Sequence, residues 1–187
     1  MNSARTDSSF FETKVKLRLD NLPKAPVNVL DCFAGSGRIW RTIRKRLGRA
    51  DVNVLSIDQK KNASGVYLAG DNVKFLAALD LGKFNVIDLD AWGVPFEQLE
   101  VIFAARPRPQ AVVFVTFIQS VFGRLPAAML EKIGYSRAML AKCPTLFNRH
   151  GLEKFKGYLA QNGVEKICRY SAGGGPAGKK HYMVFKL

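Results

Sequence analysis

The sequence predicts an α/β fold: a three-layer, Rossmann-like sandwich with a mostly parallel sheet and a C-terminal antiparallel hairpin. Three observations predict it. Short β-branched apolar runs alternate with stretches whose apolar residues recur at helical spacing, the pattern of repeated βαβ units. The first run ends in a glycine turn that leads straight into a helical stretch. The last two apolar segments are joined through a Gly-rich stretch with no helix between them, as an antiparallel pair allows.

Taken in order, VNVLDCF (27–33) is short, β-branched and followed by small residues, so it reads as a buried parallel strand. Gly35 to Gly37 turns the chain. Ile39, Trp40, Ile43 and Leu47 then recur at helical spacing up to Gly48. VNVLSI (52–57) is a second strand and VYLAG (66–70) a short third. Seven residues separate Asp58 from Val66, which is short for a crossover helix. DNVKFLAAL (71–79) is a helix with Asp71 at its N-cap. FNVIDLD (84–90) is the fourth strand, FEQLEVIFAA (96–105) a helix, and AVVFVTF (111–117) the fifth strand. Helices are expected over 125–133 and 150–162. VEKICRYS (164–171) and HYMVFKL (181–187) form the hairpin. Residues 1–24 read as an N-terminal extension and residues 25–187 as a single domain.

Composition narrows the function. At 187 residues, with 48% hydrophobic and 24% charged side chains, the chain buries a sizeable core and is not disordered. Lys and Arg total 29 against 15 Asp and Glu, a net charge of +14, and the excess sits in the two ends with a near-neutral middle. That balance points to an anionic partner, nucleic acid first. Cys32, Cys143 and Cys168 are scattered, and the two histidines, His150 and His181, lack zinc-site spacing, so no metal is expected. Sparse cysteines, no leader peptide and no membrane-length apolar run point to a cytoplasmic protein with no membrane partner. The most apolar run (111–123) is interrupted by Thr116, Gln119 and Ser120.

Ligands of a parallel sheet bind at the carboxyl ends of its strands, and the informative residues lie there. In Asp31-Cys32-Phe33-Ala34-Gly35-Ser36-Gly37 the glycines let the backbone approach a ligand, and the next helix aims its free N–H groups at the same place. A nicotinamide fingerprint wants a small residue where Trp40 stands. Asp58, followed by Gln59, ends the second strand, where a carboxylate can accept both ribose hydroxyls of an adenosine; the bland alternative is a solvated turn. Asp71, next to Asn72, either meets an adenine amino group or caps its helix. Asp88-Leu89-Asp90-Ala91-Trp92-Gly93-Val94-Pro95 follows the fourth strand. There a carboxylate can hold an exocyclic amine and an aromatic ring can stack on its base; the alternative is a helix-entry turn with Trp92 in the core.

These four elements are ordered as in the class I S-adenosylmethionine-dependent methyltransferases, which the sequence resembles over roughly residues 27–135. The stretch 88–95 more narrowly resembles the D-x-D-P-F-G-x-P of the tRNA (guanine-N2)-dimethyltransferases. Gly37-Arg38 with Arg41 resembles the G-x-R-x-x-R after that family's first motif, and Val115-Thr116 through Gly123, then Pro126 and Ile133-Gly134-Tyr135, its fifth-strand region. The resemblance implies a catalytic domain that binds S-adenosylmethionine. Asp31, Phe33, Ala34, Gly35, Ser36 and Gly37 would hold its methionine part, Asp58 and Gln59 its ribose, and Asp71 and Asn72 its adenine. Asp88 would line the same site. Asp90 would accept the target amine, Trp92 would stack on the base, and Pro95 would close the turn. Ala91 replaces the family's proline, Trp92 its phenylalanine, and Gln119 falls where an aspartate aligns. The family's RNA-binding C-terminal domain does not fit in this length.

Candidate nucleic-acid contacts are Arg38, Arg41, Arg149, Lys179 and Lys180. The run Arg41, Arg44, Lys45, Arg46 and Arg49 reads as phosphate contact or a solvated helix face. The tail SAGGGPAGKKHY (171–182) reads as a long hairpin loop or a nucleic-acid clamp, and Asn148, Arg149 and His150 as the rim of a substrate groove. Arg106-Pro-Arg108-Pro reads as a structural loop. The expected activity is methyl transfer to an amino nitrogen of a base in RNA or DNA, with a partner subunit as an optional source of target recognition. The alternatives are a catalytically inactive nucleic-acid-binding module and, third, a nicotinamide-dependent oxidoreductase.

Overall fold

In the computed structural model, which describes residues 10–24, 26–48, 51–59, 68–105, 110–119, 127–143, 145–175 and 178–187, seven strands form one sheet. They are β1 (Val27–Asp31), β2 (Val52–Asp58), β3 (Leu68–Ala69), β4 (Val86–Leu89), β5 (Val112–Gln119), β6 (Ile167–Gly175) and β7 (Gly178–Lys186), in spatial order β3-β2-β1-β4-β5-β7-β6. Strands β1 to β5 pair in parallel. β7 runs antiparallel to β5, and β6 antiparallel to β7. The helices are α1 (Phe11–Leu19), α2 (Arg38–Leu47), α3 (Asn72–Ala78), α4 (Phe96–Ala105), α5 (Ala127–Lys132), α6 (Arg137–Lys142) and α7 (Leu146–Gln161).

Two buried clusters sandwich the sheet. On one face α1 and α2 cover Val27, Val29, Val86, Val112, Phe114 and Val184, with Val15, Trp40 and Ile43 as the helical contribution. On the other, α3, α4 and α7 cover Leu30, Ile57, Ile87, Val113, Val115 and Phe185 through Leu76, Leu99, Ile102, Phe155 and Tyr158. The period of two along each strand divides the residues this way, so strands buried on both faces read as continuous apolar runs. On the α1–α2 face the alternate positions change character toward the carboxyl ends. Val29 gives way to Asp31, Val86 to Asp88, and Phe114 to Thr116, all of them buried.

The βαβ order and the antiparallel hairpin are as the sequence predicts. Three features differ. Helix α1 lies within the segment read as an extension. Its only fully buried apolar side chain is Val15, worth roughly 1.5–3 kcal/mol, and its other buried side chains are the cations Lys14 and Arg18. An apolar stripe interrupted by two charges does not register as a helix face. Helix α7 begins at Leu146 rather than at 150, and α6 precedes it. The hairpin strands extend to Gly175 and Gly178, so most of the Gly-rich stretch is strand rather than loop. One of those glycines has a packing role. The ring of Phe10 lies against the Gly173 backbone, where a Cβ would collide with it, and 6.1 Å from the ring of Tyr182. The start of α1 is thereby seated on the hairpin.

Candidate active site

The glycine turn after β1 is built by its neighbours. Cys32 N–H donates to the Asp88 carbonyl at 3.0 Å and Ala34 N–H to the Ile57 carbonyl at 3.0 Å, which ties the turn to both flanking strands. Gly35 and Gly37 take φ of 53° and 66°, the left-handed region that favours glycine. Gly37 is the N-cap of α2, which has no side-chain cap, so the backbone N–H groups of its first turn open onto the strand ends. Asp58 arrives at the same turn: its Oδ2 accepts from Gly35 N–H at 2.8 Å. Phe33, Ala34, Gly35, Ser36 and Asp58 are half-buried, and Gln59 is exposed.

Asp71 and Asn72 are put to local use. Asp71 Oδ1 accepts from Val73 N–H at 2.9 Å, the helix-capping half of its two readings. Asn72 is buried. Its amide donates to the Cys32 carbonyl at 2.9 Å, and its oxygen accepts from Gln98 at 2.8 Å, which braces the glycine turn against α4.

Next to this turn lies a buried ionic cluster. Asp31 and Asp88 are register partners on adjacent parallel strands. Arg18, 2% exposed, grips Asp88 with Nε to Oδ2 at 2.7 Å and Nη2 to Oδ1 at 2.5 Å; the Trp40 indole donates to Oδ2 at 2.8 Å. Asp88, expected to line a ligand site, is thus committed to a bidentate pair. Trp40, the residue that disfavours a nicotinamide fingerprint, is its third donor. One turn earlier on α1, Lys14 Nζ donates to Asp90 Oδ2 at 2.9 Å, and Thr116 Oγ1 donates to Asp90 Oδ1 at 2.5 Å. Burial raises the Asp31 carboxyl well above the usual carboxylate range, and the nearby Asp88 adds to this against the opposing pull of Arg18. Burial pushes Asp90 the same way, but Arg18, Lys14 and the Thr116 hydroxyl outweigh it and hold Asp90 below its ordinary value. Three carboxyl groups, Asp31, Asp88 and Asp90, thus face two cations, Arg18 and Lys14.

Trp92 stands outside this cluster and is 71% exposed, which excludes the core reading of its ring. Its turn is pinned where Ile118 N–H donates to the Gly93 carbonyl at 2.9 Å, and Lys180 Nζ lies 5.7 Å from the ring centroid. Pro95 is buried at the start of α4, its carbonyl accepting from Leu99 N–H. Lys180 is itself buried on β7, whereas Lys179 is exposed. Arg38 is exposed with its guanidinium over the Phe11 ring at 4.4 Å, and Arg41 is exposed one turn on. Arg44 donates to the Val52 carbonyl and Arg46 to Glu12, so part of the basic run is structural. Arg149 is exposed on α7, across the sheet from Arg38 and Arg41. The Asn148 side chain, Arg49, residues 106–109 and residues 120–126 lie outside the described residues.

Lys14, Arg18 and Thr116 are the site residues that the sequence reading misses. The available signal is the i, i+4 spacing of Lys14 and Arg18 on the same helical stripe as Phe11 and Val15.

No family profile and no curated relative matches the sequence. Solved structures do match. The plantazolicin methyltransferase BamL, in complex with a triazolic desmethylPZN analog and SAH, superposes with a TM-score of 0.57 at 12% identity, over 97% of this chain and 86% of that one. Trm1 from Pyrococcus horikoshii, in complex with S-adenosyl-L-methionine, gives 0.59 at 17% identity, over 97% of this chain. The fold is that of the S-adenosylmethionine-dependent methyltransferases. A ribosomal protein L11 methylase from Lactobacillus delbrueckii subsp. bulgaricus gives 0.54 at 17%, over 94% of this chain and 78% of that one. Two of these names point to different acceptors, plantazolicin for one and ribosomal protein L11 for the other. The chain spans about half of the Trm1 chain, 56% of its length.

Proposed function

We propose that this protein is an S-adenosylmethionine-dependent methyltransferase acting on an amino nitrogen of a nucleic-acid base. The observation that carries the reading is the pairing of Asp90, a largely buried carboxylate held anionic just past the end of β4, with Trp92, an exposed ring two residues on. A carboxylate there accepts a hydrogen bond from an amine and stabilises the positive charge that grows on it. A free aromatic face beside it holds the flat ring that carries the amine. The flanking glycine turn suits the cofactor. Its left-handed glycines, the open N–H groups at the start of α2, and Asp58 form a half-buried cradle of donors and one acceptor. When bound, S-adenosylmethionine supplies a methyl group already activated by its sulfonium. The chain's part is to align the acceptor amine with it and exclude water. Residues 33–37 would hold the methionine part, and Asp58 and Gln59 the ribose. Asp31, with Asp88 and Arg18, shapes the floor. The exposed Arg38, Arg41 and Lys179 and the net charge of +14 support an anionic substrate.

The test is transfer of labelled methyl from S-adenosylmethionine to mixed cellular RNA and DNA, followed by separation with nucleases. The expected outcome is label in one of the two pools. Label in neither, together with salt-sensitive nucleic-acid binding and no affinity for S-adenosylmethionine, would replace this reading with a binding module. That alternative is favoured by one observation: both Asp90 oxygens already have donors.

A further inference from the structure

The two donors on Asp90 do not exhaust it. A carboxylate offers about four lone-pair positions. Lys14 and Thr116 occupy one on each oxygen, which leaves one on each for a substrate N–H. Lys14 is an unusual partner to find there. It is 7% exposed, although a lysine gains little from burial. Arg18 already serves Asp88, so Lys14 is not needed to balance that residue. Its ammonium lies 5.6 Å from the centroid of the Tyr182 ring and 2.9 Å from Asp90, placed between β7 and β4. The packing of Phe10 on Gly173 fixes the end of α1 from which Lys14 reaches inward.

We propose that Lys14 is a positioning residue for Asp90: it fixes the carboxylate's orientation and balances its charge, so that the free lone pairs face the acceptor amine. The inference rests on the methyltransferase reading above. Among the described residues, the charged and titratable groups that act on Asp90 are Lys14 and Arg18 from α1 and Asp31 from β1, with Asp88 two residues before it on β4; Thr116 from β5 adds a neutral donor, Tyr182 of β7 lies beside Lys14, and Lys180 of β7 lies over Trp92. Of these, Lys14 is the cation in direct contact with an Asp90 oxygen.

The experiment compares the wild type with Lys14→Gln, which keeps an N–H donor but no charge, and Lys14→Arg, which keeps the charge. Carboxyl carbons are labelled in all aspartates, and the Asp90 signal is assigned by its loss in Asp90→Asn. Its titration midpoint in the wild type should lie below the ordinary carboxylate range. It should rise by about one unit or more in Lys14→Gln and return toward the wild-type value in Lys14→Arg. The acid limb of kcat/KM for methyl transfer should move upward with it, with KM for the cofactor unchanged. A wild-type midpoint at or above the ordinary range overturns the proposal without any variant, so it stays testable if Lys14→Gln does not fold. A midpoint that moves while the acid limb stays makes Lys14 merely structural and overturns it. A faster Lys14→Gln at neutral pH also overturns it, because Lys14 would then be blocking the amine site. Loss of the function reading shows separately: no wild-type methyl transfer to RNA or DNA removes the catalytic use of the pair, while the midpoints still decide whether Lys14 controls Asp90.

Discussion

The two faces of the sheet are buried to similar depth but by different means. The face under α3, α4 and α7 is held by aromatic and aliphatic packing. Phe117 stacks on Phe155 with centroids 4.6 Å apart, and Phe96 meets Phe155 and Tyr158 edge-on. The face under α1 and α2 is equally closed, yet its carboxyl half holds Arg18, Asp88, Asp31, Lys14 and Asp90. Apolar packing holds no titrating group and is indifferent to pH. A buried ion pair carries a desolvation cost that good geometry only just offsets, so replacing it with apolar groups is often harmless while removing one partner is not. The costly arrangement lies beside the glycine turn, where a site needs fixed charge. The cheap one lies on the face that only has to be solid.

The comparison is broken most severely by Arg18→Met, which leaves a buried carboxylate without its bidentate partner. The expected loss is about 3–5 kcal/mol at neutral pH, measured by urea unfolding. It should shrink as the pH falls, because Arg18 also holds Asp90 below its ordinary value, and that contribution is lost in the wild type as the pH falls through the depressed value. Phe155→Ala should lose a similar amount, about 3–5 kcal/mol, by opening a cavity, but the loss should stay flat with pH. Equal pH slopes for the two variants would remove the distinction between the faces.

A smaller effect sharpens it. The folded Asp31 binds its proton more tightly than the unfolded chain does. Its stabilising effect is therefore complete below the unfolded value and is lost as the pH rises through the folded one. Asn resembles the protonated acid, so Asp31→Asn should match the wild type at low pH and exceed it in stability once the pH has risen through the folded value. Asp90 has the opposite sign: its contribution is present above the unfolded value and lost as the pH falls through its depressed folded one. The smallest stability effect is expected for Trp92→Ala, within about 0.5 kcal/mol because the ring is exposed. Its methyl transfer to nucleic acid should nonetheless fall, with cofactor affinity kept. Unchanged transfer would detach Trp92 from the site.

The succession of strands and helices, the glycine turn, the Asp71 cap and the 88–95 turn are legible in the sequence because each is a local pattern of turn chemistry or periodicity. The ionic cluster is not. Lys14 and Arg18 pair with residues 76 and 70 positions away, and no spacing in either segment announces the other. The same holds for Lys180. Placed among glycines and lysines it reads as a surface cation, yet the pairing of β7 with β5 puts it on a buried strand beside Trp92. For Arg38 and Arg41 the sequence reading of exposed cations stands, because a helix following the turn has an outer face whatever the tertiary contacts.

The seat of Phe10 on Gly173 also has a consequence for the order of events during synthesis. The glycine turn, Asp58 and Asp90 are all made before the hairpin exists. A partly made chain has β1 to β5, but Phe10, which caps α1, has no seat until β6 and β7 are in place. The end of α1 that carries Lys14 is therefore fully seated only when the last strands have docked. The seating of that helix end then depends on the whole sheet being complete.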